Sequence, residues 1–162
     1  MSGRSAVFLA TSFALAAAAL AQEPGGSKAK SVSKADTPIF MPAADLKWVD
    51  LDPTGAPGIK IADVWGDHTK SGYGAFIKFP AGFLSGLHTH TNAIKIVVIS
   101  GTYTQTPGGK TEMRLGPGSY EYQPAGNYKH ISGCDKASEC LLFIESTGKF
   151  DLKPVEAAKA AK

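Results

Sequence analysis

Short runs of β-branched and aromatic residues fill the chain between residues 59 and 146, and in many of them apolar and polar positions alternate. A period of two is the signature of a strand with one buried face. The runs predict strands at 59–65, 73–79, 85–90, 93–100, 102–105, 111–115, 119–123, 129–132 and 141–146. Pro107, Gly108 and Gly109 predict a turn, as do Gly116, Pro117 and Gly118. Nowhere is there a long stretch with helical periodicity, and no internal repeat is present. Many short strands separated by turn signals imply an all-β sandwich or barrel.

The two ends of the chain read differently. Residues 5–21 are almost wholly small or apolar, follow Arg4, and end in Ala19, Leu20 and Ala21. A cation, an apolar stretch and a small-x-small close are expected of a secretory signal peptide, residues 1–21, cleaved before Gln22. The expected address is the periplasm or the extracellular space, through a Sec-type route. Residues 22–38 are rich in Gly, Ser, Lys and Ala and are expected to be a disordered spacer. Residues 39–152 form the expected barrel domain, and 153–162 the expected flexible tail.

The formal charge of +3 belongs to these ends. Arg4 and three lysines fall in residues 1–36, and three more lysines in 153–162. Setting them aside with Glu23, Asp36 and Glu156 leaves ten basic and eleven acidic residues in between. A nucleic-acid binder needs a basic face on the fold itself, so no nucleic-acid partner is expected. No further apolar segment is long enough to span a bilayer, so no membrane association is expected after cleavage. The two cysteines, Cys134 and Cys140, have five residues between them. In an oxidising compartment they are expected to form a disulfide.

Three of the four histidines carry the candidate chemistry. His88 and His90 are two apart on a predicted strand, so they point to one face. Ile94, Ile96 and Val98 continue the even positions, which makes that face the interior if no bulge intervenes. His130 follows Pro124 and Gly126, a turn that can fold it back toward the first pair. Buried imidazoles need partners, and a shared metal ion would supply them.

With these residues in view, the chain resembles the cupin superfamily, and in particular small secreted bacterial single-domain cupins. Gly82, His88, His90 and Gly101 match the first cupin motif. Gly118, Pro124, Gly126 and His130 match the second, with one extra residue before the histidine. The resemblance implies a double-stranded β-helix, or jelly-roll, barrel holding a metal on the histidines. It also implies a glutamate that is absent here: that position falls on Ile94, beside Lys95. The expected site is therefore a three-histidine site of His88, His90 and His130. Gln123 is a candidate fourth ligand or substrate contact.

Other residues are weaker candidates. Tyr103, Tyr120, Tyr122 and Tyr128 could supply rings near the mouth. Glu121 and Glu145 could act as a base if they faced inward, which parity leaves open. His68 sits in a turn and is expected at the surface. Three neutral imidazoles suit several divalent transition metals. Loading after export favours copper or zinc, with iron, manganese or nickel as alternatives. Two functions follow as expectations. One is a mononuclear metal-dependent oxidase or dioxygenase acting on a small organic or carbohydrate substrate. The other is a non-catalytic periplasmic metal- or ligand-binding protein. An open strand edge also makes a homodimer the expected assembly.

Overall fold

The computed structural model describes residues 38–52, 56–108 and 110–155. The expected signal peptide, almost all of the spacer and most of the tail lie outside the described residues. The described residues from Ile39 onward belong to one compact unit. After a short 3-10 turn at Ala43–Asp45 come eleven strands: β1 (Val49–Asp52), β2 (Ala56–Gly66), β3 (Tyr73–Phe79), β4 (His88–Thr89), β5 (Ile94–Ser100), β6 (Tyr103–Pro107), β7 (Met113–Leu115), β8 (Tyr120–Gln123), β9 (His130–Cys134), β10 (Cys140–Ser146) and β11 (Lys153–Pro154). Among the described residues no helix is long and apolar enough to cross a membrane.

The strands form two antiparallel sheets. One has the order β1-β2-β3-β10-β5-β8 and the other β11-β4-β9-β6-β7. Alternation explains how they pack. On β5, Ile94, Ile96 and Val98 are buried while Lys95, Val97 and Ile99 face outward. On β10, Cys140, Leu142, Ile144 and Ser146 are buried. Together with Ile59, Ile61 and Ile77, the buried apolar side chains of β5 and β10 form the core, each aliphatic one contributing about 1.5–3 kcal/mol on burial. Cys134 closes β9, Cys140 opens β10, and the two are joined by a disulfide. The bridge thereby ties one sheet to the other. At the β5–β6 corner, Gly101 has φ +78, and a Cβ there would come within 2.5 Å of the Glu139 carbonyl oxygen.

The strand reading needs four corrections. The predicted strand 85–90 is paired only at His88–Thr89, with a single bridge from Leu84 to Gly133. Residues 49–52 form β1, which the sequence pattern does not suggest. β2 begins at Ala56 rather than at 59. Lys153–Pro154 pair with Thr89 and His88, so the sheet extends two residues past the expected boundary at 152 and into the expected tail.

Candidate metal centre

The backbone brings the three histidines together in two steps. His88 opens β4 and is the direct partner of His130, which opens β9. Directly paired residues of an antiparallel ladder share a face, and the two rings lie 4.2 Å apart between centroids. His90 is two residues further on the same face. Its ring is 4.9 Å from His88 and 5.1 Å from His130. All three side chains are buried, and a nitrogen of each lies within 4.8 Å of those of the other two.

Hydrogen bonds fix the tautomers. His88 Nδ1 lies 2.7 Å from the Gly86 carbonyl oxygen, and His130 Nδ1 lies 3.0 Å from that of Tyr128. His90 Nδ1 bonds the carbonyl oxygen of Asp151. A carbonyl only accepts, so each Nδ1 carries the proton and each Nε2 keeps its lone pair. His130 Nε2 is buried with no hydrogen-bond partner. Burial pushes His88 and His130 down to about 4, against the pull of their carbonyl partners, and it lowers His90 as well. Three imidazoles held neutral, with their second nitrogens bonded to carbonyls, are the donor set of a transition-metal site.

The surroundings lock this arrangement. Gly126, at φ +85, donates its N–H to the His90 carbonyl oxygen at 2.9 Å. That contact ties the β8–β9 turn to the end of the His88–His90 segment. The segment after β10 wraps over the same place. Phe150 packs 5.5 Å from the His90 ring. The Asp151 carboxylate accepts the Thr91 N–H at 2.8 Å and also the Thr91 hydroxyl. Tyr128 stacks on His130 at 5.0 Å, and the Ser85 hydroxyl lies 3.3 Å from His88 Nδ1.

Beside the histidines is a cavity of about 740 Å³ lined by His88, His90, Ile94, Tyr103 and Gln123 together with aliphatic and Phe side chains. Gln123 is the ladder partner of Ile94, so the two share the inward face. Two positions from Gln123, Glu121 is paired with Ile96 and also faces inward. Burial lifts its carboxyl to about 7, opposed by hydrogen bonding from Gln123. Glu121 Oε2 and Gln105 Nε2 nonetheless have no partner within hydrogen-bonding distance.

The structure does not gather all the candidates. Glu145 faces outward, 3.5 Å from Lys95. Tyr120 and Tyr122 are exposed on the outer face of β8 and are therefore not at the mouth; Tyr103 alone of the four tyrosines lines the cavity. His68 is half-buried rather than superficial. It bonds Asp63 at 2.9 Å and, with Asp63 and Asp67, forms a second polar cluster. Lys70 and Thr69 already occupy the Asp67 carboxylate. The sequence pattern gives no sign of Phe150 and Asp151, which hold His90 from about sixty residues away, a contact with no local signal. The inward face of Glu121, which parity leaves open, is fixed by its pairing with Ile96.

The family model described as a domain of unknown function, DUF4437, matches residues 40–162. No curated protein matches the chain. Several solved structures do. The polyketide cyclase RemF from Streptomyces resistomycificus superposes with a TM-score of 0.61 at 15% identity, over 74% of this chain and 87% of that one. KdgF from Halomonas sp. gives 0.53 at 22%, over 67% and 94%. An RmlC-like cupin from Shewanella frigidimarina gives 0.54 at 18%, over 68% and 91%. At these identities the likeness is one of fold, and the fold is that of a cupin.

Proposed function

The chain belongs to the DUF4437 family, and from that premise and its cupin barrel we propose a secreted mononuclear metal protein that acts on a small organic molecule as an oxidoreductase. His88, His90 and His130 would hold one divalent transition ion, copper or zinc by preference. The observation that carries this reading is the convergence of three neutral imidazoles whose Nδ1 atoms are all bonded to backbone carbonyls. A redox-active ion there would supply oxidase or dioxygenase chemistry, whereas zinc would supply Lewis-acid chemistry. The chain's own part is to keep the ligands neutral, to leave a face of the site open to the cavity, and to surround it with apolar walls that exclude water. The polyketide cyclase RemF shares the fold, but a shared fold does not carry a reaction across, and the proposal rests on the histidines. Export, expected from residues 1–21, fits the Cys134–Cys140 bridge, since disulfides persist in oxidising compartments.

A second reading keeps the metal and drops the reaction. It is favoured by the cavity lining, where among the described residues Asp52 is the one carboxylate and no lysine or arginine stands beside the imidazoles. Metal analysis of protein purified from the periplasm, followed by competition titration of wild type and of His88→Ala and His130→Ala, tests the site. Affinity for copper and zinc should fall by orders of magnitude in each variant, and unchanged affinity would refute it. Oxygen uptake by the loaded protein with diketones, thiols, phenolics and sugars then separates enzyme from binder.

A further inference from the structure

The polar wall of the cavity is oriented. Gln123 is 2% exposed and lines the cavity along with His88 and His90. Its Oε1 is buried and has no hydrogen-bond partner. Its amide nitrogen faces other groups: burial raises the pKa of both Glu121 and Tyr103, and hydrogen bonding from Gln123 opposes that rise. Only a donor favours the deprotonated form of an acid, so Nε2 is the atom turned to those two and Oε1 is the atom left over. The neighbouring hydroxyls have no hydrogen to give it. The Tyr103 hydroxyl lies 3.2 Å from Gln105 Oε1 and 3.0 Å from Ser132 Oγ, and Ser132 Oγ lies 3.0 Å from Gln105 Oε1, so the one hydrogen of each hydroxyl is engaged within this triangle. Buried acceptors in folded proteins are normally paired, so the missing donor points to a ligand.

The remaining walls set the character of that ligand. Ile59, Ile77, Phe79, Ile96, Leu142 and Ile144 make up much of the cavity surface. Among the described residues the lining holds no lysine or arginine, and its one charged side chain outside the imidazoles is Asp52. A charged or many-hydroxyled molecule would lose its hydration there with little returned. A volume of about 740 Å³ is that of a pocket for a drug-sized molecule.

We propose that the cavity takes a neutral, largely apolar molecule bearing a hydroxyl group, phenolic or enolic, which donates to Gln123 Oε1 while the hydrocarbon body lies against the aliphatic walls. This rests on the reading of the cavity as the substrate site beside the metal. Gln123 is then a specificity-determining residue: it selects the hydroxyl over its methyl ether, which offers no hydrogen.

The test is calorimetric titration of the full-length protein, metal-free and zinc-loaded, with 2-naphthol, 2-methoxynaphthalene, galacturonate and choline. In both forms 2-naphthol should bind about tenfold more tightly than the ether, the margin of one hydrogen bond to a buried acceptor. Gln123→Leu, checked for folding by circular dichroism, should erase that margin in the metal-free protein while retaining the ether. Equal affinities of 2-naphthol and the ether in metal-free wild type would overturn the proposal, and so would tighter binding of galacturonate or choline. The wild-type comparison stands even if the variant does not fold. Failure of the metal reading shows separately, as loss of zinc affinity with the hydroxyl preference intact in the metal-free protein.

Discussion

Ile94 and Gln123 stand opposite each other across β5 and β8, both buried and both turned to the side of the barrel that holds the three imidazoles. An alkyl group thus occupies the position at which the cupin resemblance calls for a carboxylate, and its partner is an amide. The ligand field here is imidazole only unless Gln123 joins it. That makes the donor set softer and uncharged compared with one containing a glutamate.

Ile94→Glu should restore an anionic oxygen to the site. Metal preference should move toward manganese and iron and away from copper, because carboxylate suits harder ions. The metal-free variant should melt at lower temperature than wild type, since it buries a charge without a partner. Competition titrations across the metal series check the first outcome and thermal unfolding without metal the second. An unaltered preference would mean that a carboxylate at position 94 does not reach the ion.

Much of this geometry is legible in the amino-acid pattern. Alternation on β5 places Ile94, Ile96 and Val98 inside, and the spacing of His88 and His90 places both rings on one face. What stays hidden depends on partners far away in sequence. Residues 85–90 read as a strand, but period two describes an extended loop equally well. Only Leu84 and His88 find bridge partners on β9. Lys153–Pro154 are too few and too polar to announce a strand, and they pair only because the chain returns past His90. Tyr120 and Tyr122 carry rings that suit either face, and it is the inward turn of Gln123 that sends both outward.

Asp151 is a positioning residue whose effect should reach the metal through His90. Its carboxylate clamps Thr91 while its carbonyl oxygen accepts the hydrogen bond from His90 Nδ1. Asp151→Ala keeps the carbonyl but frees the segment, so the ring is held less firmly. Metal affinity should fall about tenfold, at the lower end of the loss typical of outer-shell changes, whereas loss of a ligand costs far more. A chelator competition that placed Asp151→Ala level with wild type would show that Phe150 and the backbone suffice.

The metal-free protein should lose stability as the pH falls from about 6.5 toward 4. His88 and His130 have folded values of about 4 against an ordinary 6.5. Between those limits the unfolded chain binds more protons, so stability rises with pH there and is fully present above 6.5. Denaturant unfolding at pH 4, 5, 6 and 7 without metal should show the slope, and His130→Ala should flatten it. A bound ion should oppose the acid loss, because it binds only the neutral rings.

Self-association is expected through the outer surface at the β8 edge. Tyr120 and Tyr122 are 59% and 54% exposed, and Val97, the ladder partner of Tyr120, is 40% exposed. β8 is the last strand of its sheet, so its outer edge is open to pairing by a second copy. Light scattering should give a dimer for wild type and a monomer for the double variant Val97→Lys, Tyr120→Lys, with metal affinity unchanged. A wild-type monomer at micromolar concentration would remove the dimer from the account.

Glu121 should make the opposite contribution to pH dependence from the histidines. Its folded value is about 7 against an ordinary 4.5, raised by burial. From pH 4.5 upward the unfolded chain gives up this proton while the folded protein holds it. The stabilising preference for the neutral acid is therefore present below 4.5, declines as the pH rises, and is gone above about 7. Above that pH the folded barrel must hold a carboxylate whose Oε2 has no hydrogen-bond partner. Glu121→Gln keeps the shape and removes the charge. The variant should gain stability relative to wild type at pH 8 and gain little or nothing at pH 4.5, where both side chains are neutral. Parallel denaturant titrations of the metal-free proteins at the two pH values measure the difference. Equal shifts at both would mean that Glu121 is not held protonated in the fold.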